Sequence, residues 1–433
     1  MIGRYKAYSE YKKSGVEWTG LIPKHWALKR IKDTANLING FPFDSKKFET
    51  NKGMPLVRIR DINSKNTQVG FTGSVPDESL INDGDILIGM DGDFNVALWS
   101  GGVAALNQRV ACIRTDSELL QKYIYYILPF NMKVINALTY FTTVKHLSNI
   151  DILKTVYPLP PTNELCNIVN FLDYETSKID TLIAKQEKLI ELLKENRQAV
   201  ISHAVTKGLN PDAPMRDSGV EWLGEVPEHW EVLPTKRFFR LVTEPSIKNH
   251  GQELLSVYAA IGVAPRKDLE QKGNKASNTD GYWAVRKGDI IVNKLLAWMG
   301  AIGYSDYDGV TSPAYDILRK TKDINPKFYH YLFRQKFTQN EFKRWSRGIM
   351  EMRLRLYFEE LGRIMMPMPP KEEQNAIVQE IEKMHCVFAE LEEKANLQIE
   401  LLKERKTALI SAAVTGKIDV RDFVSEQGQP QGI

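Results

Sequence analysis

Apolar residues recur every seven positions in two stretches of the chain, 172–200 and 381–409, with Gln186 as the one polar member of the two series. A period of 3.5 residues is typical of a helix whose apolar seam packs against another helix. The pattern predicts two long antiparallel helices of about 43 residues, or roughly 64 Å each at 1.5 Å per residue. The residues expected at their interface are Leu172, Ile179, Leu193, Val200, Ile381, Phe388, Leu402 and Leu409.

Further apolar residues lie beside these seam positions. They are expected to flank the seam in the first stretch (Leu182, Ile183, Leu189 and Ile190) and to widen the apolar stripe in the second (Met384, Leu391 and Ile399). A lone helix of this kind would leave its stripe in water, whereas two helices in one chain can bury each other's stripes.

Elsewhere the pattern changes to short apolar runs bounded by turn residues. Such runs at 55–60, 85–90, 110–114 and 289–293 predict β-strands. Segments 119–128 and 326–337 have helical spacing instead. The sequence therefore predicts an α+β (mixed α/β) fold with two globular domains separated by the two antiparallel helices.

The chain also repeats itself. Residues 14–26, SGVEWTGLIPKHW, match residues 218–230, SGVEWLGEVPEHW, at nine of thirteen positions. Residues 190–206 match residues 399–415, and each helical stretch follows a Pro-Pro pair. A weaker match relates GDILI at 84–88 to GDIIV at 288–292. The period exceeds 200 residues, so the repeat is a whole domain with its helix rather than a small solenoid unit.

The repeat defines the predicted domain boundaries. Two variable blocks alternate with two helical blocks, and we expect a ring-like pseudo-twofold arrangement that brings the end of the second helical block near the N-terminus. The predicted segments are variable blocks 1–155 and 215–365, helical spacers 156–214 and 366–420, and a polar tail 421–433.

Composition narrows the class of protein. A net charge of +4 excludes a histone-like polycation but leaves local phosphate-binding patches open. Three dispersed cysteines argue against a disulfide framework and indicate a reducing cytoplasm. No apolar run approaches the length of a membrane span, so no membrane is expected among the partners.

Motifs of catalysis are missing from the sequence. It contains neither a GxxxxGK[ST] phosphate loop nor a GxGxxG turn after a strand. His25 and His229 share a place in the repeated P-x-H-W motif, but no second metal ligand recurs beside them. A structural role is the better interpretation of these histidines, as is a local core for the repeated tryptophans. We expect no catalytic, cofactor-binding or metal site in this chain.

Basic and polar clusters are the candidates for DNA contact. Lysine and arginine neutralise phosphates, and arginine also pairs with guanine in the major groove. A solvated helix face is the alternative interpretation of the cluster at 334–355, where Phe337, Phe342 and Trp345 are interleaved with the cations. The candidate residues are Lys46, Lys47, Arg58, Arg60, Thr142, Thr143, Lys145, His146, Lys343, Arg344, Arg347 and Arg353.

These motifs carry a resemblance. The doubled SGVEW-x-G-x-x-P-x-HW, the Pro-Pro before each long helix and the doubled IELLKE with its following AVT resemble the specificity subunit of a type I restriction–modification system. The resemblance covers nearly the whole chain. The segment TTVKHLS at 142–148 is similar to a loop found before the first long helix of that family.

The resemblance implies a division of labour. Each variable block would be a target-recognition domain that reads one half of a split site on double-stranded DNA, and the helices would set the spacing and dock two methyltransferase subunits. Restriction and translocation subunits would join that core. S-adenosylmethionine, ATP and magnesium would be bound by the partners. Two alternatives stay open: a DNA-modifying enzyme with an unrecognised active site, and a purely structural coiled-coil protein.

Overall fold

The computed structural model describes residues 5–16, 18–138, 145–246, 252–268, 281–349 and 353–423. The chain divides into two compact units: unit 1 comprises residues 1–186 and 397–433, and unit 2 comprises residues 187–396. No helix within the described ranges combines the length and apolarity needed to cross a membrane. The α-helices are α1 (Glu118–Leu138), α2 (Asn149–Lys154), α3 (Thr162–Lys207), α4 (Pro326–Phe333), α5 (Lys336–Trp345), α6 (Phe358–Leu361) and α7 (Lys371–Val414).

The two long helices predicted from the heptads are α3, of 46 residues, and α7, of 44 residues. The boundary between the units falls inside both helices. Within unit 1, the Asp180 carboxylate lies 2.7 Å from the Lys406 ammonium. Within unit 2, Arg197 lies 3.7 Å from Glu392. In each unit an early part of one helix meets a late part of the other, which confirms the predicted antiparallel contact.

The seam positions differ from their neighbours in burial. Of the residues expected at the interface, Leu172, Ile179, Ile381 and Phe388 are buried, and the other four are partly buried. Leu182, Leu189 and Leu391, expected to widen the seam, are instead exposed. Ile183, Ile190 and Met384 are partly buried and Ile399 is buried, as expected. The three leucines differ because each stands one position before a partly buried residue of the seam, Ile183, Ile190 or Glu392. One position rotates a side chain by about 100° around the helix, out of the narrow seam.

Unit 1 is built on two sheets and two short antiparallel pairs. The strand order is β10-β9-β12-β4 in one sheet and β5-β7-β6-β11-β8 in the other, with pairs β1-β2 and β13-β3. The strands are β1 (Tyr11–Lys13), β2 (Leu21–Pro23), β3 (Ala27–Arg30), β4 (Asn36–Asn39), β5 (Phe48–Glu49), β6 (Met54–Val57), β7 (Gly70–Phe71), β8 (Leu80–Ile81), β9 (Ile86–Gly89), β10 (Val96–Leu98), β11 (Ala104–Leu106), β12 (Val110–Arg114) and β13 (Val156–Leu159).

Unit 2 repeats part of this plan. Its sheet β17-β24-β21-β22 corresponds to the first sheet of unit 1, and the pairs β14-β15 and β16-β25 correspond to β1-β2 and β3-β13. Pairs β18-β19 and β20-β23 complete it. The strands are β14 (Met215–Asp217), β15 (Glu225–Pro227), β16 (Glu231–Pro234), β17 (Phe239–Val242), β18 (Leu255–Tyr258), β19 (Gly262–Pro265), β20 (Trp283–Val285), β21 (Ile290–Asn293), β22 (Ile302–Tyr304), β23 (Gly309–Thr311), β24 (Tyr315–Lys320) and β25 (Met365–Met368).

Two predicted elements differ from the structure. The strand expected over 55–60 ends at Val57 and gives way to a 3₁₀ turn, Ile59–Asp61. The helix expected over 326–337 is broken into α4 and α5 at Arg334 and Gln335. At the first change the Arg58 side chain donates to Asp61 at 3.1 Å, and at the second the Arg334 side chain donates to the carbonyls of Ala259 and Ala260 at 2.8 and 2.9 Å. Further 3₁₀ turns lie at Ile31–Asp33, Ser45–Lys47, Asp77–Ser79, Thr235–Arg237, Arg266–Asp268 and Ala297–Met299.

The repeated Gly-Asp-Ile sequence has the same structural role in both units. In unit 1, buried Asp85 accepts two hydrogen bonds from Arg114, at 2.8 and 2.6 Å. In unit 2, buried Asp289 accepts two from Arg319, both at 2.8 Å. Hydrogen bonding to the carboxylate raises the pKa of Arg114, and the same cause raises the pKa of Arg319. Each pair ties the central strands of its sheet together.

The repeated His-Trp pair binds the first turn of a long helix. His25 Nε2 lies 2.7 Å from a carboxylate oxygen of Glu164, and Trp26 Nε1 donates to the other oxygen at 2.9 Å. In unit 2, His229 and Trp230 contact Glu373 at 2.7 and 3.0 Å. Trp26 and Trp230 are both buried. The predicted structural role of this motif is therefore confirmed, and its partner is the acidic residue of the N-terminal helical turn.

The end of α7 lies beside the N-terminal segment within unit 1. The Asp419 amide donates to the Lys6 carbonyl at 2.7 Å, and the Arg421 guanidinium lies 5.0 Å from the centre of the Tyr8 ring. This confirms the predicted proximity of the helical block's end to the N-terminus. The ring-like arrangement of the whole chain stays a prediction.

Gly416, just after α7, should be a sensitive position. It has φ of +68°, and a Cβ there would lie 2.4 Å from the Pro23 side chain. We expect Gly416→Ala to destabilise unit 1 by about 3 kcal/mol or more, because left-handed strain and overpacking add. Gly20→Ala is the matched control, since its φ is +61° with open space around it, and should cost only about 1–2 kcal/mol. Urea denaturation measures both; equal losses would contradict the packing role.

Candidate nucleic-acid interface

Each unit joins the loop after its Gly-Asp-Ile strand to the segment before a short helix. In unit 1, the Met90 carbonyl accepts a hydrogen bond from the Leu147 amide at 2.8 Å. In unit 2, the Lys294 carbonyl accepts one from the Leu356 amide at 2.9 Å. The two leucines are 209 positions apart, the same offset that relates the helical repeats. The same backbone frame therefore presents two different sets of side chains.

In unit 1 this frame carries a polar cluster. Asp91 lies 2.8 Å from His146 Nδ1 and 3.1 Å from the Arg109 guanidinium, and both of those side chains are about half exposed. The Lys145 ammonium is anchored on Asn136 at 2.6 Å. The structure thus brings the predicted Lys145 and His146 together. Of the other members of that loop, Thr142 and Thr143 lie outside the described residues.

Asp91 and Arg109 were not among the predicted site residues. Arg109 stands just before β12, and Asp91 just after β9, so they are 18 positions apart in sequence and adjacent only through sheet pairing. The one sequence signal was their position at the ends of predicted strands. Side chains at such ends collect at one edge of a sheet, and this edge is where the cluster lies.

In unit 2 the same frame carries an arginine hairpin. Arg347 and Arg355 are directly opposite each other and exchange two backbone hydrogen bonds, each of 2.9 Å. Like charges opposite each other destabilise a pair of strands unless an anion compensates them. Buried Glu360 forms an ion pair with Arg347. Arg353 and Arg355 are exposed, and no carboxylate pairs with either of them in the described part of the chain.

The remaining predicted cations differ in whether they are exposed or paired with an internal carboxylate. Lys46, Lys47 and Arg60 are exposed. Arg58, in contrast, donates to buried Asp61 at 3.1 Å and is mostly buried itself. The structure therefore assigns Arg58 and Arg347 internal partners that the sequence did not reveal.

Two cations of α5 also have partners. Arg344 lies 3.6 Å from Glu341 and 3.7 Å from Glu221. Lys343 lies 5.2 Å from the centre of the Trp298 ring. Among the described residues, no group of three or more His, Cys, Asp or Glu side chains could hold a metal ion.

Two segments of the chain, residues 23–192 and 227–401, match the model of the family described as the type I restriction modification DNA specificity domain. Each repeat of the chain thus contains one match. Together the matches cover more than half of the chain. The chain belongs to this family of type I restriction–modification specificity subunits.

Relatives extend the likeness over nearly the full length. The type I restriction enzyme EcoBI specificity subunit of Escherichia coli is 30% identical over 428 residues, covering 92% of this chain and 88% of that protein. The type I restriction enzyme MjaVIII specificity subunit of Methanocaldococcus jannaschii is 23% identical over 422 residues, covering 93% and 95%.

Solved structures show the same fold. A chain from a structure on complex assembly and conformational transition of the type I R-M system has a TM-score of 0.63 at 15% identity, covering 91% of this chain and 98% of that chain. The HsdS subunit from Thermoanaerobacter tengcongensis has a TM-score of 0.50 at 15% identity, covering 92% and 98%.

These findings confirm several predictions. The family resemblance and the mixed fold with a doubled domain and long helices are confirmed. So is the class of protein, a non-catalytic DNA-recognition subunit, because its relatives are specificity subunits. Membership also implies DNA, methyltransferase subunits and restriction subunits as partners.

Proposed function

We propose that each unit reads one half of a bipartite site on double-stranded DNA. The observation that carries the proposal is the shared backbone frame: the Met90 carbonyl in unit 1 and the Lys294 carbonyl in unit 2 make the same hydrogen bond. The side chains on that frame differ, with Asp91, His146 and Arg109 in one unit and an arginine hairpin in the other. A common frame with different surfaces suits two readers of different sequences.

The exposed cations supply the sequence-independent part of binding. Their exposure supports a role in neutralising phosphates for Arg353 and Arg355 in unit 2 and for Lys46, Lys47 and Arg60 in unit 1. In this proposal 1–155 and 215–365 act as the target-recognition domains, and 156–214 and 366–420 act as spacers. The chain binds no cofactor; its partners in the cytoplasm bind S-adenosylmethionine, ATP and magnesium.

The helices dock two methyltransferase subunits, one on each repeat. Leucines at equivalent positions are exposed to similar extents: Leu182 at 45% and Leu391 at 42%, and Leu192 at 49% and Leu401 at 48%. Large apolar side chains repeated on an outer helix face indicate a protein partner. Since the face occurs twice, two copies of one partner fit better than one.

Lys185 and Lys394, and Glu195 and Glu404, are also identical and exposed in the two repeats. These residues lie on the same side of their helices as the leucines, at helical spacings of three, seven and ten positions. They provide a polar rim around each apolar stripe, as is common at protein interfaces.

Arginine substitutions test the DNA-reading proposal. Arg355→Ala should weaken DNA binding by the methyltransferase complex and lower the salt slope of log K by about one, with unchanged thermal stability. Arg347→Ala should behave differently, because it leaves Glu360 buried and unpaired; we expect a loss of stability of about 1–3 kcal/mol. Fluorescence anisotropy across a salt series and thermal denaturation separate the two effects. An unchanged slope and affinity for Arg355→Ala would show that the hairpin is a solvated surface.

A further inference from the structure

The turn that follows β21 exposes apolar side chains without an evident structural need. Leu295 is 40% exposed, Leu296 is 44% exposed and Met299 is 50% exposed. Their neighbour Ala297 is fully buried and fixes the turn to the core. Exposure of three large apolar side chains on one short turn is unfavourable in water, and clusters of this kind mark binding surfaces.

The turn is held rigidly from several sides. Asn293 accepts from the Leu295 amide at 3.1 Å, and the Lys294 ammonium donates to the Pro313 carbonyl at 3.0 Å. Arg334 donates to the Gly300 carbonyl at 3.1 Å and to the carbonyls of Ala259 and Ala260 at 2.8 and 2.9 Å. Burial lowers the pKa of Arg334. The apolar side chains therefore project from a fixed support, as a specific contact requires.

The equivalent loop of unit 1 shows that the scaffold does not require this apolar surface. There Asp91 occupies the position that follows the shared hydrogen-bonded residue, and Phe94 is fully buried. The exposed apolar character is thus particular to unit 2. It belongs to the part of the molecule in which the two units differ.

The surroundings of the turn favour a nucleic acid as the occupant. The Lys294 carbonyl binds the Leu356 amide, and Leu356 directly follows Arg355 of the arginine hairpin. Lys343 lies over Trp298 in the middle of the turn. A protein surface that combines apolar tips with several cations complements DNA, whose phosphates carry the charge. The thymine C5-methyl is the apolar group that base edges expose in the major groove.

We propose that Leu295, Leu296 and Met299 contact thymine C5-methyl groups in the major groove of the half-site read by unit 2. The inference rests on the proposed function and adds a chemical class to it: this half-site contains at least one A·T pair recognised through its methyl group. Unit 1, with Asp91, His146 and Arg109, reads its own half-site by hydrogen bonds instead.

Deoxyuridine provides a direct test. The full chain, in complex with its methyltransferase partner, is titrated with duplexes that carry its mapped recognition site. Each thymine of either half-site is replaced in turn by deoxyuridine, which lacks only the methyl group. At one or more positions of a single half-site, affinity should fall roughly three- to fivefold, which is the effect expected from losing the burial of one methyl group. In Leu296→Ala or Met299→Ala, the same replacement should have little further effect.

Controls distinguish the possible failures. Leu21→Ala, at a 53% exposed leucine of β2 in unit 1 that belongs to neither candidate surface, should leave the deoxyuridine effect at those positions unchanged. If the wild-type complex binds its site specifically but tolerates deoxyuridine everywhere, or if the variants keep the full effect, the inference is wrong and the proposed function stands. If Leu296→Ala loses methyltransferase subunits by mass photometry, the turn is a protein-docking surface and the inference is again wrong. Absence of sequence-specific binding by the wild type would instead overturn the proposed function.

Discussion

Leu401→Glu is expected to remove one methyltransferase subunit from the assembled complex. Leu401 is 48% exposed on the outer face of α7, and its repeat partner Leu192 is 49% exposed on α3. Placing a carboxylate in an apolar interface loses the burial of the leucine and leaves an unpaired charge. Together these effects should weaken that interface by at least about 3 kcal/mol, or roughly a hundredfold.

Native mass spectrometry of the copurified complex measures the result. Leu401→Glu and Leu192→Glu should each retain one methyltransferase subunit, and the double variant should retain none. Leu21→Glu is the matched control, because Leu21 is 53% exposed but lies in β2 rather than on a long helix; it should retain both subunits. Full occupancy in the double variant would show that the leucine face is not the docking surface.

A four-residue helical insertion should change the gap between the half-sites. Inserted into α3 between Gln186 and Leu193, where the helix passes from unit 1 to unit 2, it adds about 6 Å and a net rotation of roughly 40°. One base pair advances the DNA by about 3.4 Å and turns it by about 34–36°. We expect a gap longer by one base pair, since the rotation matches one base pair and tilt of the helix reduces the effective translation.

Genome-wide mapping of methylated sites reads out this variant. The half-site sequences should stay the same, because the loops at Met90 and Lys294 are unchanged. The same four residues inserted after Asn66, an exposed position in unit 1, lengthen the chain but no helix and should not alter the gap. An active helix variant with an unchanged gap would mean that the helices dock subunits but do not set the spacing.

The long helices and the repeat could be predicted from the sequence because both are periodic signals. A heptad seam identifies buried positions locally, so Leu172, Ile179, Ile381 and Phe388 were placed correctly at buried positions. The burial of positions next to the seam was harder to predict, because Leu182 and Leu391 are as apolar as the seam residues. Only the geometry of the helix pair distinguishes them from the seam residues. Their exposure indicates a partner surface because it occurs at equivalent positions in both repeats.

The candidate interface was predictable only in outline. Charge clusters located the arginines, but Arg58 and Arg347 are held by Asp61 and Glu360, and composition alone cannot show which cation is already paired. The Glu373 carboxylate bound by His229 and Trp230 lies more than 140 positions away in sequence. Such contacts depend on tertiary packing, and no local pattern encodes them.

The chain's central role is tested most directly by the methylated motif that it specifies. The full chain is expressed with its methyltransferase partner in a host without this system, and every methylated adenine or cytosine is mapped at single-base resolution. We predict one motif, made of two short fixed half-sites separated by a constant number of unspecified bases, that disappears when the chain is omitted. A continuous motif, or the same motif in the absence of the chain, would contradict the assignment of one half-site to each unit.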